Sequence, residues 1–229
     1  MQKYNLVDSS VLQRVFKILV GVNNIGTSFI VENSKGKFLV TAKHIFKKVG
    51  YPDKAQICVD QSGTWIPIDN QIFYHTDDKI DIAVVKTSYF DNMNFEKVNN
   101  SSKGFIFSQE LFILGYPYAF DSALYAQNRG YPIPYIKKGI FSGKCGRVLF
   151  LDCDNNQGFS GGPVIYRKYE QEGFSDETSI AGIVSGYYPH EIEVMDSKKN
   201  VIGRTVENSG MTICYPIEHA MEIIELIIN

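Results

Sequence analysis

The hydrophobic residues of the chain fall in short runs that are separated by turn-forming residues. From Val11 onward these runs are rich in β-branched and aromatic residues, and Gly, Asn, Asp or Pro interrupts them about every ten residues. The pattern predicts an all-β protein of the barrel or sandwich type. The predicted strands are Val15–Val20, Ser28–Glu32, Phe38–Thr41, Ala55–Val59, Ile82–Val85, Leu111–Leu114, Gly146–Leu151, Pro163–Tyr166, Ile180–Ser185 and Met211–Tyr215.

The carboxyl-terminal segment departs from the strand pattern. Directly after Pro216, apolar residues repeat at helical intervals, which predicts an amphipathic helix packed on the β body. These apolar positions are Ile217, Ala220, Met221, Ile224 and Ile228. Three segments without periodicity are predicted to be long loops, the part of a β scaffold where binding surfaces are usually built. They are Asp121–Pro134, Tyr169–Thr178 and His190–Asn208.

Length and charge narrow the class of protein. A chain of 229 residues can bury a full core, and we expect one structural unit without an accessory domain. The formal net charge of -2 comes from interspersed acidic and basic residues, so no broad surface for nucleic acid is expected. No apolar run approaches the ~20 residues that span a bilayer, and Met1–Ser10 lack the features of a secretory signal. The sequence therefore predicts a soluble cytoplasmic protein with neither a nucleic-acid nor a membrane partner.

The cysteines indicate neither a disulfide framework nor a metal site. The four residues, Cys58, Cys145, Cys153 and Cys214, are scattered along the chain without the spacing of ligand pairs. We expect free, mostly buried thiols, and we expect no metal or organic cofactor.

The stretch from Gln157 to Pro163, Gln-Gly-Phe-Ser-Gly-Gly-Pro, is the most informative part of the sequence. A serine between glycines, just before an apolar strand, suits an exposed nucleophile on a tight turn. Glycine permits positive φ and close approach, so the N–H groups of Gly158 and Ser160 can point together at a developing oxyanion. Taken alone, the motif also fits a glycine-rich β turn.

A serine nucleophile needs a base, and a third group must hold that base in the correct tautomer. His44 follows the apolar run that begins at Phe38, so a rigid strand would position its imidazole. There are three other histidines. His75 follows a short apolar run, His190 lies in a predicted loop and His219 lies on the predicted helix. Taken singly, each histidine also fits a surface or structural role.

Asp81 is the candidate for the orienting carboxylate. It comes directly before the apolar run that starts at Ile82, so it lies at the mouth of a buried strand. Asp77 and Asp78 are the alternatives, but they belong to a polar run that is typical of a solvated turn.

Together these blocks resemble the trypsin-like serine peptidases of the chymotrypsin clan, and the resemblance is nearest to the HtrA-like branch. Gly-Thr-Ser-Phe-Ile at 26–30 and Leu-Val-Thr-Ala-Lys-His at 39–44 resemble the strand pair that leads to the catalytic histidine. Asp-Ile-Ala-Val at 81–84 resembles the aspartate block, and Gly-Phe-Ser-Gly-Gly-Pro at 158–163 resembles the nucleophile loop. The order His, Asp, Ser is the order of the family, which makes the three blocks far more specific together than singly.

The resemblance implies two six-stranded antiparallel barrels and a C-terminal α-helix. The first barrel, residues 1–105, would carry His44 and Asp81; the second, residues 106–229, would carry Ser160 and the helix. It further implies a serine endopeptidase that works through an acyl-enzyme. Ala-Gly-Ile-Val-Ser-Gly at 181–186 resembles the strand that pairs with substrate, so substrate contacts are expected at Gln157, Ser185 and Gly186.

Two departures from the family pattern limit the inference. No PDZ-like region follows the predicted helix, so PDZ-gated assembly is not implied. Phe159 occupies the position where secreted relatives carry an aspartate that receives a freed amino terminus, so activation by cleavage is not expected.

The sequence alone does not decide which residue lies at the base of the specificity pocket. Counting back from Ser160 by the spacing of secreted trypsins places Asp154 at the base of the primary pocket, where a buried carboxylate would select Arg or Lys. Alignment of Asp152 with the aspartate of HtrA-like relatives places Asp154 differently, and Asp-Asn-Asn is also a common turn sequence.

Two other functions remain open on the sequence alone. One is a catalytically silent, trypsin-like binding module, and the other is a structural β protein in which His44 and Ser160 lie far apart. The peptidase reading implies a protein or peptide substrate, and it leaves room for a regulatory protein partner.

Overall fold

The structure is a computed structural model that describes residues 6–120, 124–170 and 173–227. Short apolar runs form two β-sheets of seven strands each. The first sheet contains β1 Val15–Val20, β2 Asn24–Asn33, β3 Gly36–Thr41, β4 Ile57–Gln61, β5 Thr64–Ile68, β6 Gln71–Tyr74 and β7 Ala83–Lys86. The second contains β8 Asn99–Asn100, β9 Glu110–Gly115, β10 Tyr135–Cys145, β11 Val148–Asp152, β12 Pro163–Glu170, β13 Gly173–Met195 and β14 Val201–Pro216.

Helices are few and short in the described part of the chain. α1 spans Ser9–Leu12 and α2 spans Glu218–Leu226, while 3-10 helices span Lys43–Val49, Pro117–Ala119 and Tyr125–Asn128. Among the described residues, no helix is both long enough and apolar enough to cross a membrane.

The first sheet closes through one bent strand. Its order is β5-β4-β1-β2-β3-β7-β6, so β5 and β6 pair with opposite ends of the sheet. Only Asp69 and Asn70 separate these two strands. The Asn70 side chain accepts a hydrogen bond from the Ala55 N–H at 3.1 Å and donates to the Ile68 carbonyl at 3.1 Å, which fixes the bend. Counted as one strand, β5 and β6 give the first barrel its six strands.

The second sheet closes directly. Its order runs β12-β9-β10-β11-β14-β13, and β12 also pairs with β13, which makes a six-stranded antiparallel barrel. The short β8 adds to β13 in parallel at its outer side. The predicted all-β architecture of two barrels followed by a helix is therefore confirmed.

Side chains alternate between two environments along the strands. In β2, Ile30 belongs to the core of the first barrel, whereas its neighbours Phe29 and Val31 face a second core outside it. In β9, Ile113 belongs to the core of the second barrel, and Leu114 faces the same outer core. That outer core also contains the apolar face of α2. Burial in it fuses the barrels and the helix into one framework.

The amino-terminal segment crosses both barrels. Asp8 caps α1 through the Val11 N–H and also accepts hydrogen bonds from Thr178 at 2.6 Å and Arg167 at 3.0 Å. Arg14 is 2% exposed and donates to the carbonyls of Ile30, at 3.1 Å, and Glu96. Because these carbonyls satisfy the guanidinium, the charge is tolerated in the interior.

Two of the three predicted loops are wrong. Residues 173–178 lie in β13 and residues 169–170 end β12, while residues 171–172 of this predicted loop lie outside the described residues. Most of His190–Asn208 forms a hairpin between β13 and β14. In the third segment, residues 121–123 lie outside the described residues, and the rest contains the 3-10 helix Tyr125–Asn128. The division at residue 105 stays a prediction; strands of the second sheet begin as early as Asn99.

Candidate active site

Strand pairing brings His44 and Asp81 together. β3 pairs with β7 so that Thr41, the last residue of β3, lies opposite Ala83, the first residue of β7. His44 comes shortly after β3 and Asp81 comes shortly before β7, so the pairing brings them to the same end of the sheet. The Asp81 carboxylate accepts a hydrogen bond from the His44 backbone N–H at 2.7 Å and lies 2.7 Å from His44 Nδ1. Two contacts to one carboxylate fix both the backbone and the ring of the histidine.

The Asp81 contact decides which nitrogen of His44 carries the proton. A carboxylate accepts hydrogen bonds, so the neutral imidazole carries its hydrogen on Nδ1 and leaves Nε2 with a lone pair. The His44 side chain is 43% exposed and the Asp81 side chain 18% exposed. The free nitrogen therefore belongs to a ring that a substrate can reach, while the carboxylate is more shielded.

Ser185 of β13 connects the two barrels at this point. Its hydroxyl donates a hydrogen bond to Asp81 Oδ2 at 2.5 Å, and its carbonyl oxygen accepts one from Ser160 Oγ at 2.9 Å. The Asp81 carboxylate of the first barrel and the Ser160 hydroxyl of the second are therefore bonded to the same residue. Sequence reasoning assigned Ser185 a substrate contact and missed its link to Asp81.

Glycine is required at two positions around Ser160. Gly158 has φ +105°, and a Cβ there would lie 2.1 Å from the Tyr116 carbonyl oxygen. Gly161 has φ +84°, and a Cβ there would lie 2.1 Å from the Thr27 carbonyl oxygen. Any larger residue would collide with backbone atoms of the first barrel or of the turn after β9. The glycines thus let the nucleophile loop approach both elements closely.

From the first barrel, Thr27 of β2 holds the loop that carries Ser160. Its N–H donates to the Ser160 carbonyl at 3.0 Å, and its hydroxyl donates to the Gly158 carbonyl at 2.6 Å. The hydroxyl oxygen also accepts the Tyr116 N–H at 3.2 Å. Thr27 is 0% exposed, so these bonds do not compete with water. Sequence reasoning missed this residue because a threonine in an apolar strand has no signal of its own.

The two amides expected to bind an oxyanion are available. The Gln157 carbonyl accepts the Tyr118 N–H at 2.7 Å. Because the peptide unit is planar and trans, the Gly158 N–H points in the opposite direction. Within the described part of the chain, neither the Gly158 N–H nor the Ser160 N–H has a hydrogen-bond partner. Both donors are therefore free for a ligand.

The turn that fixes the Gln157 carbonyl is itself unusual. Tyr118 and Ala119 have φ values of +51° and +61°, which non-glycine residues rarely adopt. Such a conformation persists only where surrounding contacts impose it. Here the Tyr118 N–H bond to Gln157 and a 3.2 Å bond from Asn156 Nδ2 to the Tyr118 hydroxyl supply these contacts.

The Ser160 hydroxyl does not point at His44. Among the described residues its only hydrogen bond goes to the Ser185 carbonyl, and none joins Ser160 to His44. A change of the Ser160 χ1 rotamer would redirect the hydroxyl. Hydrogen bonds between catalytic groups are often formed fully only once substrate binds.

The alternative candidates for the orienting carboxylate and the base lie elsewhere or have other partners. Asp78 is paired with Lys43 at 3.0 Å, and Asp77 accepts the Lys79 N–H at 2.9 Å and pairs with Arg147. His190 is exposed in the β13–β14 hairpin. Among the described contacts, none of these alternatives is bonded to Ser185, the residue that joins Asp81 and Ser160.

Asp154 does not lie at the base of a buried pocket. Its side chain is 63% exposed and pairs with Lys137 at 3.1 Å. It also accepts a hydrogen bond from Asn208 at 2.9 Å. Asp154 therefore belongs to an exposed polar turn. The buried residue of this turn is Asn155, which is 2% exposed.

One group of side chains has the composition of a metal site. His75, His219 and Glu222 place their ligand atoms within 4.8 Å of one another. Each histidine contacts Glu222 Oε2 at 2.9 Å, and these hydrogen bonds lower the pKa of Glu222. His75 Nδ1 accepts the Asp77 N–H at 2.9 Å, so its proton lies on Nε2, where a metal would need a lone pair. Hydrogen bonds thus explain the cluster as a link between α2 and the turn after β6.

Comparison with known proteins agrees with this geometry. Residues 26–171 match the family described as trypsin-like peptidase domain. A search of curated proteins finds no match. Among solved structures, the inactive form of a serine-to-alanine mutant of Rv3671c from M. tuberculosis has a TM-score of 0.54 and 13% identity. The alignment covers 95% of this chain and 87% of that one.

Two structures of the HtrA-type protease AlgW, each with a tripeptide, are also similar. The serine-to-alanine variant has a TM-score of 0.57 and 18% identity, and the unmutated protein has 0.59 and 16%. Each alignment covers 95% of this chain and 60% of the AlgW chain. At these identities the likeness concerns the fold. The family match over more than half of the sequence goes further: the chain belongs to the trypsin-like peptidase family.

Proposed function

We propose that the protein is a serine endopeptidase in which Ser160, His44 and Asp81 form the catalytic triad. The observation that carries the proposal is the pair of bonds made by Ser185, to Asp81 at 2.5 Å and from Ser160 at 2.9 Å. Because both bonds involve one residue, they support a triad that combines Ser160 with the His44–Asp81 pair. Family membership supports a peptide or protein as the substrate.

In the proposed first step, Ser160 Oγ attacks the carbonyl carbon of the scissile peptide bond. His44 Nε2 takes the hydroxyl proton, and Asp81 stabilises the imidazolium that forms. The carbonyl oxygen becomes an oxyanion, which the Gly158 and Ser160 N–H groups bind. The C–N bond then breaks, the His44 proton passes to the leaving amine, and the acyl group stays on Ser160.

Water completes the proposed cycle. His44 accepts a proton from water as the water oxygen attacks the acyl carbon, and a second oxyanion forms in the same place. The bond to Ser160 breaks and His44 returns its proton to the Ser160 oxygen. Before the first step, Ser160 changes rotamer and releases the Ser185 carbonyl, which can accept a substrate N–H throughout the cycle.

A catalytically silent binding module is the second candidate function. It is favoured by the one observation that the Ser160 hydroxyl is bonded to Ser185 and not to His44. Reactivity toward a fluorophosphonate separates the two functions, because the reagent needs an activated serine. A binding module would not react.

Cleavage of a peptide library tests the peptidase assignment. The wild-type protein is expected to cut a subset of peptides, and Ser160→Ala is expected to cut none of them. Retention of wild-type turnover in Ser160→Ala would assign the activity to another group or to a contaminant. Addition of reductant throughout keeps the cysteines in the form expected for a cytoplasmic protein, a location that stays a prediction.

A further inference from the structure

The longest departure from the predicted fold is a hairpin formed by residues 187–208 at the ends of β13 and β14. The strands pair from Pro189 with Asn208 to Met195 with Val201. Residues 196–200 close the turn, and the Asp196 carboxylate accepts the N–H groups of Lys198 at 2.8 Å and Asn200 at 2.9 Å. The turn is thus built by specific hydrogen bonds.

The hairpin contacts the rest of the protein at its base, where Asn208 donates to Asp154 and to the Asn155 carbonyl and Tyr188 lies near Phe150, but its strands project from the barrel. None of residues 187–195 or 201–207 is buried, whereas β13 residues 180–184 are all buried. A two-stranded ribbon that is open on both faces has little stability of its own in water. Seven apolar side chains are nevertheless exposed along it: Tyr187, Tyr188, Val194, Met195, Val201, Ile202 and Val206. Such a group of exposed apolar residues marks an interaction surface.

One edge of β13 is free along the hairpin. In the part of the chain that the structure describes, β12 pairs with β13 only as far as Ile183, and β8 pairs only with Ser179 and Ile180. From Ser185 onward β13 has a neighbouring strand, β14, on one side only. The backbone N–H and C=O groups on its other side are a template for an added strand.

The free edge begins inside the candidate active site. The Ser185 carbonyl accepts the Ser160 hydroxyl, so it faces the point where the scissile bond would lie. β13 runs away from that point, from Ser185 toward Met195. A strand added antiparallel would run in the opposite direction, so the residues before the scissile bond would lie along the hairpin. Ten residue steps of ~3.3 Å give an edge of roughly 33 Å.

The edge is irregular at three places where the register against β14 shifts: between Val184 and Gly186, between Tyr187 and Pro189, and between Val194 and Met195. Pro189 also has no N–H to donate. An added strand would therefore pair first near Ser185 and again beyond Pro189. Beyond the interruption, Ile192 and Val194 lie on one face of the strand, and Glu191 and Glu193 lie on the other. The apolar face favours a substrate with apolar residues at alternate positions.

Substrate pairing at Ser185 and Gly186 is already expected from the family resemblance; we propose that the hairpin extends the substrate cleft beyond that point, and that the free edge of β13 from Pro189 to Val194 binds residues further before the scissile bond as an added β-strand. The inference rests on the proposed peptidase function. The substrate class that follows is an unfolded or extended polypeptide segment, because a short folded loop could not lie along the whole edge.

Peptides of graded length test the proposal. One cleavable sequence from the library is extended by 2, 4, 6, 8 or 10 residues, about one per edge position, on either its amino or its carboxyl side. Amino-terminal extension is expected to raise kcat/KM about tenfold or more, mainly through a lower KM, and carboxyl-terminal extension is expected to have little effect. N-methylation of single residues in the longest peptide should remove the gain at every second position, since alternate N–H groups face β13.

Two kinds of variant locate the effect. Replacement of residues 189–208 by an Asn-Gly turn is expected to abolish the dependence on length while the shortest peptide is still cleaved. Ile202→Ser should weaken the dependence on peptide length in part. Val22→Ser should leave that dependence unchanged, because Val22 is an exposed apolar residue in the turn after β1, outside the hairpin. Fluorophosphonate labelling of Ser160 should persist in all three variants.

The outcomes are distinguishable. Labelling and cleavage without dependence on amino-terminal length would overturn the strand-addition proposal and leave the peptidase assignment in place. A gain from carboxyl-terminal extension alone would also overturn it. A dimer in analytical ultracentrifugation that the shortened hairpin abolishes, without any length dependence, would assign the edge to a second copy of the chain. Absence of labelling would instead refute the proposed function.

Discussion

The two sides of the candidate active site differ in how completely their hydrogen bonds are made. On the first barrel, Asp81 accepts bonds from the backbone and the ring of His44, each at 2.7 Å. On the second barrel, the Ser160 hydroxyl is bonded to the Ser185 carbonyl at 2.9 Å instead of to His44. In the proposed triad, the base is thus positioned before substrate arrives, whereas the Ser160 hydroxyl has to leave the Ser185 carbonyl.

The difference follows from the elements that carry the residues. His44 and Asp81 flank paired strands of one barrel, so the fold fixes their separation. Ser160 lies on a loop of the other barrel, which Thr27 and Ser185 hold through backbone groups. Those bonds fix the main chain and leave χ1 of the serine free to change. Chemistry at this site would therefore depend on contacts between the barrels as well as on the triad.

The largest expected effect comes from the triad itself. Ser160→Ala, His44→Ala and Asp81→Asn are each expected to lower kcat by about 10^4-fold or more, because the three residues act as a unit. Thermal unfolding should show that each variant keeps its fold. The double variant Ser160→Ala with His44→Ala should lose no more than the worse single variant; additive losses would mean that the two residues do not act together.

A smaller loss is expected where the first barrel holds the nucleophile loop. Thr27→Val keeps the shape of the side chain but removes the hydroxyl bonds to the Gly158 carbonyl and the Tyr116 N–H. We expect kcat to fall roughly 10- to 100-fold with KM little changed, since a displaced loop weakens oxyanion binding. Thr27→Ser should restore most of the rate.

Ser28→Ala is the matched control for Thr27. Ser28 is the next residue, is also 0% exposed and donates its hydroxyl to the Phe16 carbonyl of the first barrel at 3.2 Å. Its loss should lower stability without changing kcat. Equal losses of kcat in the two variants would show that the loss in Thr27→Val does not come from its contacts with Gly158 and Tyr116.

Asp8 should contribute to stability in a manner that depends on pH. Burial raises the pKa of Asp8. Hydrogen bonds from Ser10 and Thr178 and the charge of Arg167 lower this pKa by more than burial raises it, so the net shift is downward. A carboxylate with a lowered pKa stabilises the fold above its unfolded value, ~3.9, and that contribution is lost as the pH falls through the folded value.

Asp8→Ala tests this contribution. Loss of the α1 cap and of the bonds from Thr178 and Arg167 is expected to lower the free energy of unfolding at pH 7 by about 1–2 kcal/mol. Urea unfolding at pH 7 and at acid pH should show the difference from wild type shrinking below about pH 4. A difference that is constant over this range would mean that the charge of Asp8 has no part in it.

Asp154→Ser sharpens the question of specificity. Because the carboxylate is exposed and paired with Lys137, its removal should change the ratio of kcat/KM for basic and neutral side chains before the scissile bond by no more than about twofold. Loss of all cleavage after Arg and Lys would instead restore Asp154 as a pocket residue.

The smallest expected effect concerns the cysteines. All four are free thiols; Cys58, Cys153 and Cys214 are buried and Cys145 is exposed. Midpoints of thermal unfolding with and without reductant should agree within error. A large drop on reduction would reveal a disulfide that forms in the oxidised protein.

Sequence reasoning succeeded where a pattern had one physical cause. The apolar spacing after Pro216 predicted α2, and the core strands were found because alternate residues enter one of two cores. It failed at residues 190–208, since a ribbon that packs on neither core shows no apolar face. Asp154 was misplaced because spacing along the chain does not reveal burial. The roles of Thr27 and Ser185 depend on contacts more than a hundred residues away in sequence, which no local pattern encodes.

Active-site labelling of the full chain from Met1 is the most direct test of the proposed triad. The protein is treated with a fluorophosphonate, and the modified residue is identified by mass spectrometry of its peptides. We expect one adduct, on Ser160, that forms without amino-terminal trimming because Phe159 has no charge to pair with a freed amino group, and that His44→Ala abolishes. A Ser160 that reacts only after removal of the residues before Val11 would contradict the expectation that no trimming is needed, and an adduct on another residue would contradict the proposed triad.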